Sequence, residues 1–210
     1  MTVSPFVPWP PGEVLVLASR SPRRAELLRT AGLPFEQRPA GDVEGEHAAR
    51  LGALHADPDR YSEELARLKA QAVCELAPGR LVLGADTIVV LDGEVLEKPR
   101  DAAEARAMLG RLSGRWHTVI SAIALCGGPH RRWVGHERTE VEFLPVGAGA
   151  IARYVASGEP MDKAGAYGIQ GLGALMVRGV RGCYFNVMGL PLALLGRALR
   201  EVLGPVEETS

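Results

Sequence analysis

Asp86 stands in LVLGADTIVVL, residues 81–91, with apolar neighbours on both sides. A carboxylate in such a place carries a desolvation cost unless a cation, a metal or hydrogen-bond donors meet it. It is either a group held for chemistry or a side chain turned to solvent at a bulge made by Gly84. Lys69 follows Leu65 by four residues and precedes Val73 by four, so it falls in the apolar stripe of the helix predicted around it. Its ammonium either snorkels to water or meets an anion where the stripe ends at a pocket. In ASRSPRRAELL, residues 18–28, Arg23 and Arg24 fall in the first turn of a predicted helix, with Arg20 just ahead. That end of a helix carries about half a positive charge, so each cation there is opposed by about 0.3–1 kcal/mol. The arginines are solvated surface groups, or they share one anion with the free backbone N–H groups of the helix end.

Weaker signals lie further along. Lys98 adds a cation in GEVLEKP. Asp42, Glu44 and Glu46 form an acidic loop, able to hold a divalent ion or simply solvated. The run AGAYGIQGLGA permits close backbone approach, and the Gln170 amide offers both donor and acceptor to a nucleobase edge. The sequence contains no GxxxxGK[ST], GxSxG or HExxH. His47 and His55 lie in a loop, His130 and His136 near a turn, and His117 beside an apolar strand; none pairs with a nucleophile, and all read as structural or surface groups. Cations, one carboxylate in an apolar strand, an acidic loop and a presented amide together suit a polyphosphate, a metal ion and an attacking water.

The elements that must position these groups have local signatures. VLVLAS, residues 14–19, reads as a buried strand. Ser21 caps the next helix, Pro22 opens it, and it runs to about Ala31 before Gly32. Residues 36–60 lack periodicity and read as a surface loop with room for a short helix. A second helix is predicted from Ser62 to Pro78-Gly79, then two strands joined by Asp92-Gly93. Asp101 caps a third helix with Glu104 completing a D-x-x-E box. WHTVISAIALC and HERTEVEFLPV read as strands, residues 148–157 as a helix, residues 162–177 as a glycine-rich segment ending in a strand, and GCYFNVMGL as strand and turn. Pro191 opens a last amphipathic helix. Alternating helices and apolar strands, broken by hairpins, predict an α/β fold with a mixed sheet flanked by helices.

The chain of 210 residues can bury a sizeable core. Its division is expected as a loose proline-rich leader over 1–12, one domain over 13–204 and a tail over 205–210. A net charge of −1 argues against a general nucleic-acid or membrane binder, while leaving room for a local basic pocket. No apolar run is long enough for a transmembrane helix. Cys74, Cys126 and Cys183 are far apart in sequence with no CxxC pair, which fits reduced thiols in a cytoplasmic protein.

LASRSPRRAELL, LARLKAQA, LGADTIVVLDGEVLEKP, MLGRLSG, EPMDKAGAYGIQGLGAL and FNVMGLPL occur in one order from Leu17 to Leu192. In this ordered set the chain resembles the Maf family of nucleoside triphosphate pyrophosphatases. The resemblance implies cleavage of a nucleoside triphosphate at its α–β bond, with Mg²⁺ or Mn²⁺. It also implies a two-lobed fold with a central cleft, like that of inosine-triphosphate pyrophosphatases, and a homodimer. By position, it makes Asp86 the general base. Ser19, Arg23, Arg24, Lys69 and Lys98 become substrate contacts, and Glu44 joins Asp86 as a metal ligand. Arg23, Thr87 and Gln170 match the specificity positions of the branch acting on dTTP and UTP. The family's association with arrest of cell division and septum formation implies an alternative, a regulator that binds nucleotide without cleaving it. Segment 47–60 is longer than the family pattern, and the leader lies outside it.

Overall fold

The computed structural model describes residues 4–127 and 131–204. The tail at 205–210, His130 and the first three residues of the leader lie outside them. The chain runs β1 (Leu15–Leu17), α1 (Pro22–Thr30), β2 (Phe35–Gln37), α2 (Val43–Glu46), α3 (Ala48–Gly52), α4 (Pro58–Leu76), β3 (Val82–Leu91) and β4 (Glu94–Leu96). It continues through α5 (Ala102–Leu112), β5 (Trp116–Cys126), β6 (Arg132–Phe143), α6 (Ala148–Ala156), β7 (Val177–Arg181), α7 (Tyr184–Met188) and α8 (Leu192–Leu203). Among the described residues the strands form one seven-stranded mixed sheet in the order β2-β1-β3-β5-β6-β7, with β4 added beside β3. β1 is parallel to β2 and β3; the remaining pairs are antiparallel.

Local chemistry sets most element ends. Ser21 accepts from the Arg24 N–H at 3.5 Å and Pro22 begins α1. Asp92 and Gly93 both have positive φ, 54° and 81°, as the two-residue β3–β4 hairpin requires. Asp101 accepts from the N–H groups of Ala103 and Glu104, both at 2.8 Å. Glu104 turns back to the Arg100 N–H, one residue before the cap. α4 starts earlier than Ser62, because Asp57 caps it by accepting from Arg60 N–H at 3.3 Å and Pro58 opens it. The expected loop over 36–60 holds the end of β2 and two short helices.

Two expectations are corrected. GCYFNVMGL holds a helix, α7, where strand and turn were expected. Asn186 fixes it there: fully buried, its amide donates to Val119 O at 3.0 Å and Thr139 Oγ1 at 2.9 Å. The leader is packed, not loose, from Ser4 onward. Ser4 N–H donates to Gly32 O at 3.1 Å, and Val7 and Trp9 lie against the core formed with α1 and α8. Of the two readings of Asp86, the bulge falls away, since β3 pairs with β5 in unbroken register through Gly84, from Val82 to Val90.

The two faces of β3 explain the cleft. On one face Gly84, Asp86 and Ile88 look toward α4. A Cβ on Gly84 would stand 2.2 Å from Ala66 O and 2.5 Å from Ala70 N, so only glycine lets the helix backbone lie on the strand. On the other face two apolar clusters sit side by side. One gathers α1, α8 and the start of β3; the other gathers α5, α6 and its end. Between them one edge of β3 lacks a strand. β1 pairs only with Val82 and Leu83, and β4 only with Val89 to Leu91. The bare interval, Gly84 to Ile88, contains Asp86 and Thr87.

Candidate active site

A cleft of about 360 Å³ opens at this gap. Six cationic side chains line it: Arg20, Arg23, Arg24, Lys69, Lys98 and Lys163. Three carboxylates, Glu44, Asp86 and Asp162, face them. In a chain of net charge −1, that local excess marks the cleft as a place for an anion.

Asp86 is 8% exposed, and its Oδ1 accepts from Lys69 Nζ at 2.6 Å. Glu44, from the first turn of α2, reaches the same Nζ at 2.7 Å. Burial works against the ammonium, yet Asp86 and Glu44 outweigh it and hold the Lys69 pKa above its ordinary value. Asp86 therefore turns to a cation in the cleft, not to bulk solvent, and Lys69 meets anions instead of snorkelling.

The first turn of α1 divides its two arginines. Arg23 reaches across the cleft to Asp162 Oδ2 at 3.1 Å and keeps part of its guanidinium open. Arg24 turns inward. Its Nε donates to Gly189 O at 2.8 Å, its Nη1 to Ala85 O at 2.8 Å and Ser19 Oγ at 3.1 Å, and its Nη2 to Thr87 Oγ1 at 3.1 Å. Four of its five N–H groups are thus committed to protein acceptors. Burial lowers its pKa, with Asp86 pulling the other way. Arg24, expected to hold phosphate, is in addition a brace, with one N–H group left uncommitted. It joins α1 to the bare edge of β3 and to the turn before α8, and satisfies the Ala85 carbonyl that no strand meets. Ser19 is buried, its Oγ also accepting from Ser21 N–H at 3.2 Å. The Thr87 hydroxyl is shared with Ser121 Oγ at 2.8 Å.

Lys98 is exposed at the cleft's edge. Its neighbour Glu97 is tied to α4 by the Tyr61 hydroxyl and accepts the Gly165 N–H at its backbone carbonyl. Gln170 lines the cleft in a glycine-rich run of 3-10 turns. Glu159 shapes that run: its carboxylate accepts from Leu172 N–H at 3.0 Å, Gly173 N–H at 3.1 Å and Tyr154 Oη at 3.0 Å. Burial opposes its charge, but those donors hold its carboxyl below the usual range.

The structure thus brings Ser19, Arg23, Arg24, Glu44, Lys69, Asp86, Thr87, Lys98 and Gln170 to one cleft. Sequence reasoning missed Asp162 and Lys163, whose Nζ lies 2.5 Å from Asp162 Oδ1. An Asp-Lys pair opening a glycine-rich run was the available signal. It also missed the buried relay in which Asn186 Oδ1 accepts from Ser121 N–H at 3.1 Å while Ser121 holds Thr87. Nothing local in either residue marks it. Among the described residues no group of three or more His, Cys, Asp and Glu side chains is arranged to hold a metal ion. No helix among them is long and apolar enough to cross a membrane.

A mixed sheet interrupted at a cation-lined cleft defines an α/β protein with a place for an anionic ligand. The model of the Maf-like protein family matches residues 14–202, and the chain belongs to that family. It is 55% identical over 179 residues to the dTTP/UTP pyrophosphatase of Symbiobacterium thermophilum, covering 85% of this chain and 88% of that one. It is 48% identical over 189 residues to the dTTP/UTP pyrophosphatase of Koribacter versatilis, covering 90% and 94%. It is 53% identical over 179 residues to that of Salmonella typhimurium, covering 85% and 87%. Among solved structures, the Staphylococcus aureus Ham1 protein is similar at a TM-score of 0.42 and 14% identity, over 77% of this chain and 78% of that one.

Proposed function

We propose that this chain hydrolyses the α–β phosphoanhydride of dTTP and UTP to the monophosphate and pyrophosphate. The observation that carries the reading is Asp86, seated in a cleft where six cationic side chains oppose three carboxylates. The names of the relatives supply the nucleotides.

Arg23 and Lys98 line the cleft and bind the triphosphate oxygens, and Lys163, its ammonium held by Glu159 O and Asp162, adds its charge to theirs. The field of buried Arg24 adds to theirs, and its last N–H remains for the ligand. Lys69 fixes Asp86 through Oδ1, leaving Oδ2 to take the proton of the attacking water. Oxygen joins the α-phosphorus, the α–β bridging bond breaks, and pyrophosphate leaves. Glu44 and Asp86 converge on one ammonium, so both carboxylates can reach one small cation. Two such carboxylates would suit a hard divalent ion such as Mg²⁺ or Mn²⁺. When bound, the ion neutralises charge on the leaving pyrophosphate. Gln170 reads the base edge. Arg23, set by Asp162, and Thr87, through Arg24, shape the same pocket. A homodimer and a cytoplasmic setting belong to this reading, and light scattering on the purified chain tests the first.

The test is product identification across a nucleotide panel with Mg²⁺ or Mn²⁺. Pyrophosphate from dTTP and UTP is expected, and Asp86→Asn is expected to lose at least about 100-fold in kcat while still folding. Orthophosphate as the product, or binding without turnover, overturns the reading; the latter favours a nucleotide-binding regulator.

A further inference from the structure

Cys74 lies near the end of α4, and Cys126 is the last residue of β5. They are 52 residues apart in the chain, yet their Sγ atoms stand 2.6 Å apart, with the Cys126 thiol donating to the Cys74 sulfur. A disulfide needs about 2.05 Å between its sulfurs, so a small side-chain movement would join them. Both are free cysteines and both are partly exposed, so a small oxidant can reach them.

We propose that Cys74 and Cys126 form a reversible disulfide that staples α4 to the central sheet. The proposal is independent of the nucleotide chemistry above. The oxidant is a low-molecular-weight disulfide such as oxidised glutathione. The thiolate of one cysteine attacks one of its sulfurs and expels one glutathione thiolate. The sulfur of the other cysteine, its proton lost to water, then attacks the first and expels the second glutathione thiolate. Two protein thiols give up two electrons and two protons, and one small disulfide becomes two thiols. Burial, together with Cys74 beside it, pushes the Cys126 thiol up, and the short Sγ–Sγ distance lets either sulfur resolve a mixed disulfide formed on the other.

The place of the bond gives it a consequence. α4 carries Lys69, five residues before Cys74, and rests on β3 at Gly84. A staple there holds the helix that bears Lys69 against the strand that bears Asp86, and closes a long loop in the unfolded chain.

The full chain, reduced and then incubated with oxidised glutathione, tests this. Digestion without reductant is expected to yield a linked Cys74–Cys126 peptide, and alkylatable thiols are expected to fall from three to one, Cys183. The melting temperature is expected to rise by about 5 °C or more and to return on adding dithiothreitol. Cys183→Ser is expected to keep the shift, and Cys74→Ser or Cys126→Ser to abolish it. If a serine variant folds poorly, the wild-type peptide map decides alone. Three alkylatable thiols after oxidation, glutathione adducts without the linked peptide, or a linked peptide with an unmoved melting temperature would overturn the proposal.

Discussion

Arg24 shows how a residue's type can be legible while its task is not. Asp86, Lys69 and Arg23 announce themselves because each breaks its local pattern, and each lies in the cleft where that break suggested. Arg24 breaks the same pattern, but its acceptors, Ala85 O and Gly189 O, lie 61 and 165 residues away. No window of sequence around α1 contains them. Its bracing role makes a specific demand. Arg24→Lys keeps the charge but cannot reproduce four hydrogen bonds spread over a planar fork. Loss of about 2–4 kcal/mol in urea unfolding is expected, with kcat/KM for dTTP falling at least about 100-fold. A variant of wild-type stability and raised KM would instead mark Arg24 as a simple phosphate ligand.

At the scale of elements, α4 and β3 set the distance between Lys69 and Asp86, and Gly84 sets the distance between α4 and β3. Gly84→Ala puts a methyl group into the helix backbone, which cannot give way as a side chain end would. Destabilisation of about 1–3 kcal/mol is expected, and a fall in kcat larger than the rise in KM, because the Lys69–Asp86 contact opens. Matched urea curves and dTTP kinetics check it, and an unchanged kcat in a destabilised variant would separate packing from positioning. The caps at Ser21 and Asp101 and the Asp92-Gly93 hairpin were readable because a few adjacent residues determine each. β2 was not, since three residues in a parallel edge strand carry no alternation. α7 was not, since YFNVM favours a strand locally and becomes a helix only where Asn186 enters the buried space between β5 and β6.

At the scale of the whole molecule, stability depends on ligand and on pH. The cleft gathers like charges that an anion would relieve, so nucleotide is expected to add to stability. A non-hydrolysable α,β-methylene analogue of dTTP at about 100 times its Kd, with Mg²⁺, is expected to add about 2.7 kcal/mol and raise the melting temperature by about 5–10 °C. An unmoved transition would count against the site. His117, 4% exposed, lies between Phe143 and Tyr167, and burial lowers its pKa to about 4. Its Nε2 meets Tyr167 Oη at 2.8 Å, and its Nδ1 is without a partner. The unfolded chain takes up this proton near the ordinary value of about 6.5. The contribution of neutral His117 is therefore fully present above that pH and lost as pH falls toward about 4, on the order of 3 kcal/mol in all. His117→Gln is expected to flatten that part of the pH–stability curve. A variant with the same slope between pH 6.5 and 4 would assign the acid sensitivity elsewhere.

The bare interval of β3 has one more consequence. An unpaired strand edge invites a second chain to add to the sheet, and a long one is an aggregation hazard. Here β1 and β4 close both ends, and Arg24 occupies the Ala85 carbonyl between them. Only five residues, Gly84 to Ile88, stay open between those two strands. The paired strands at either end and the Arg24 guanidinium at Ala85 thus keep β3 from presenting a continuous bare edge.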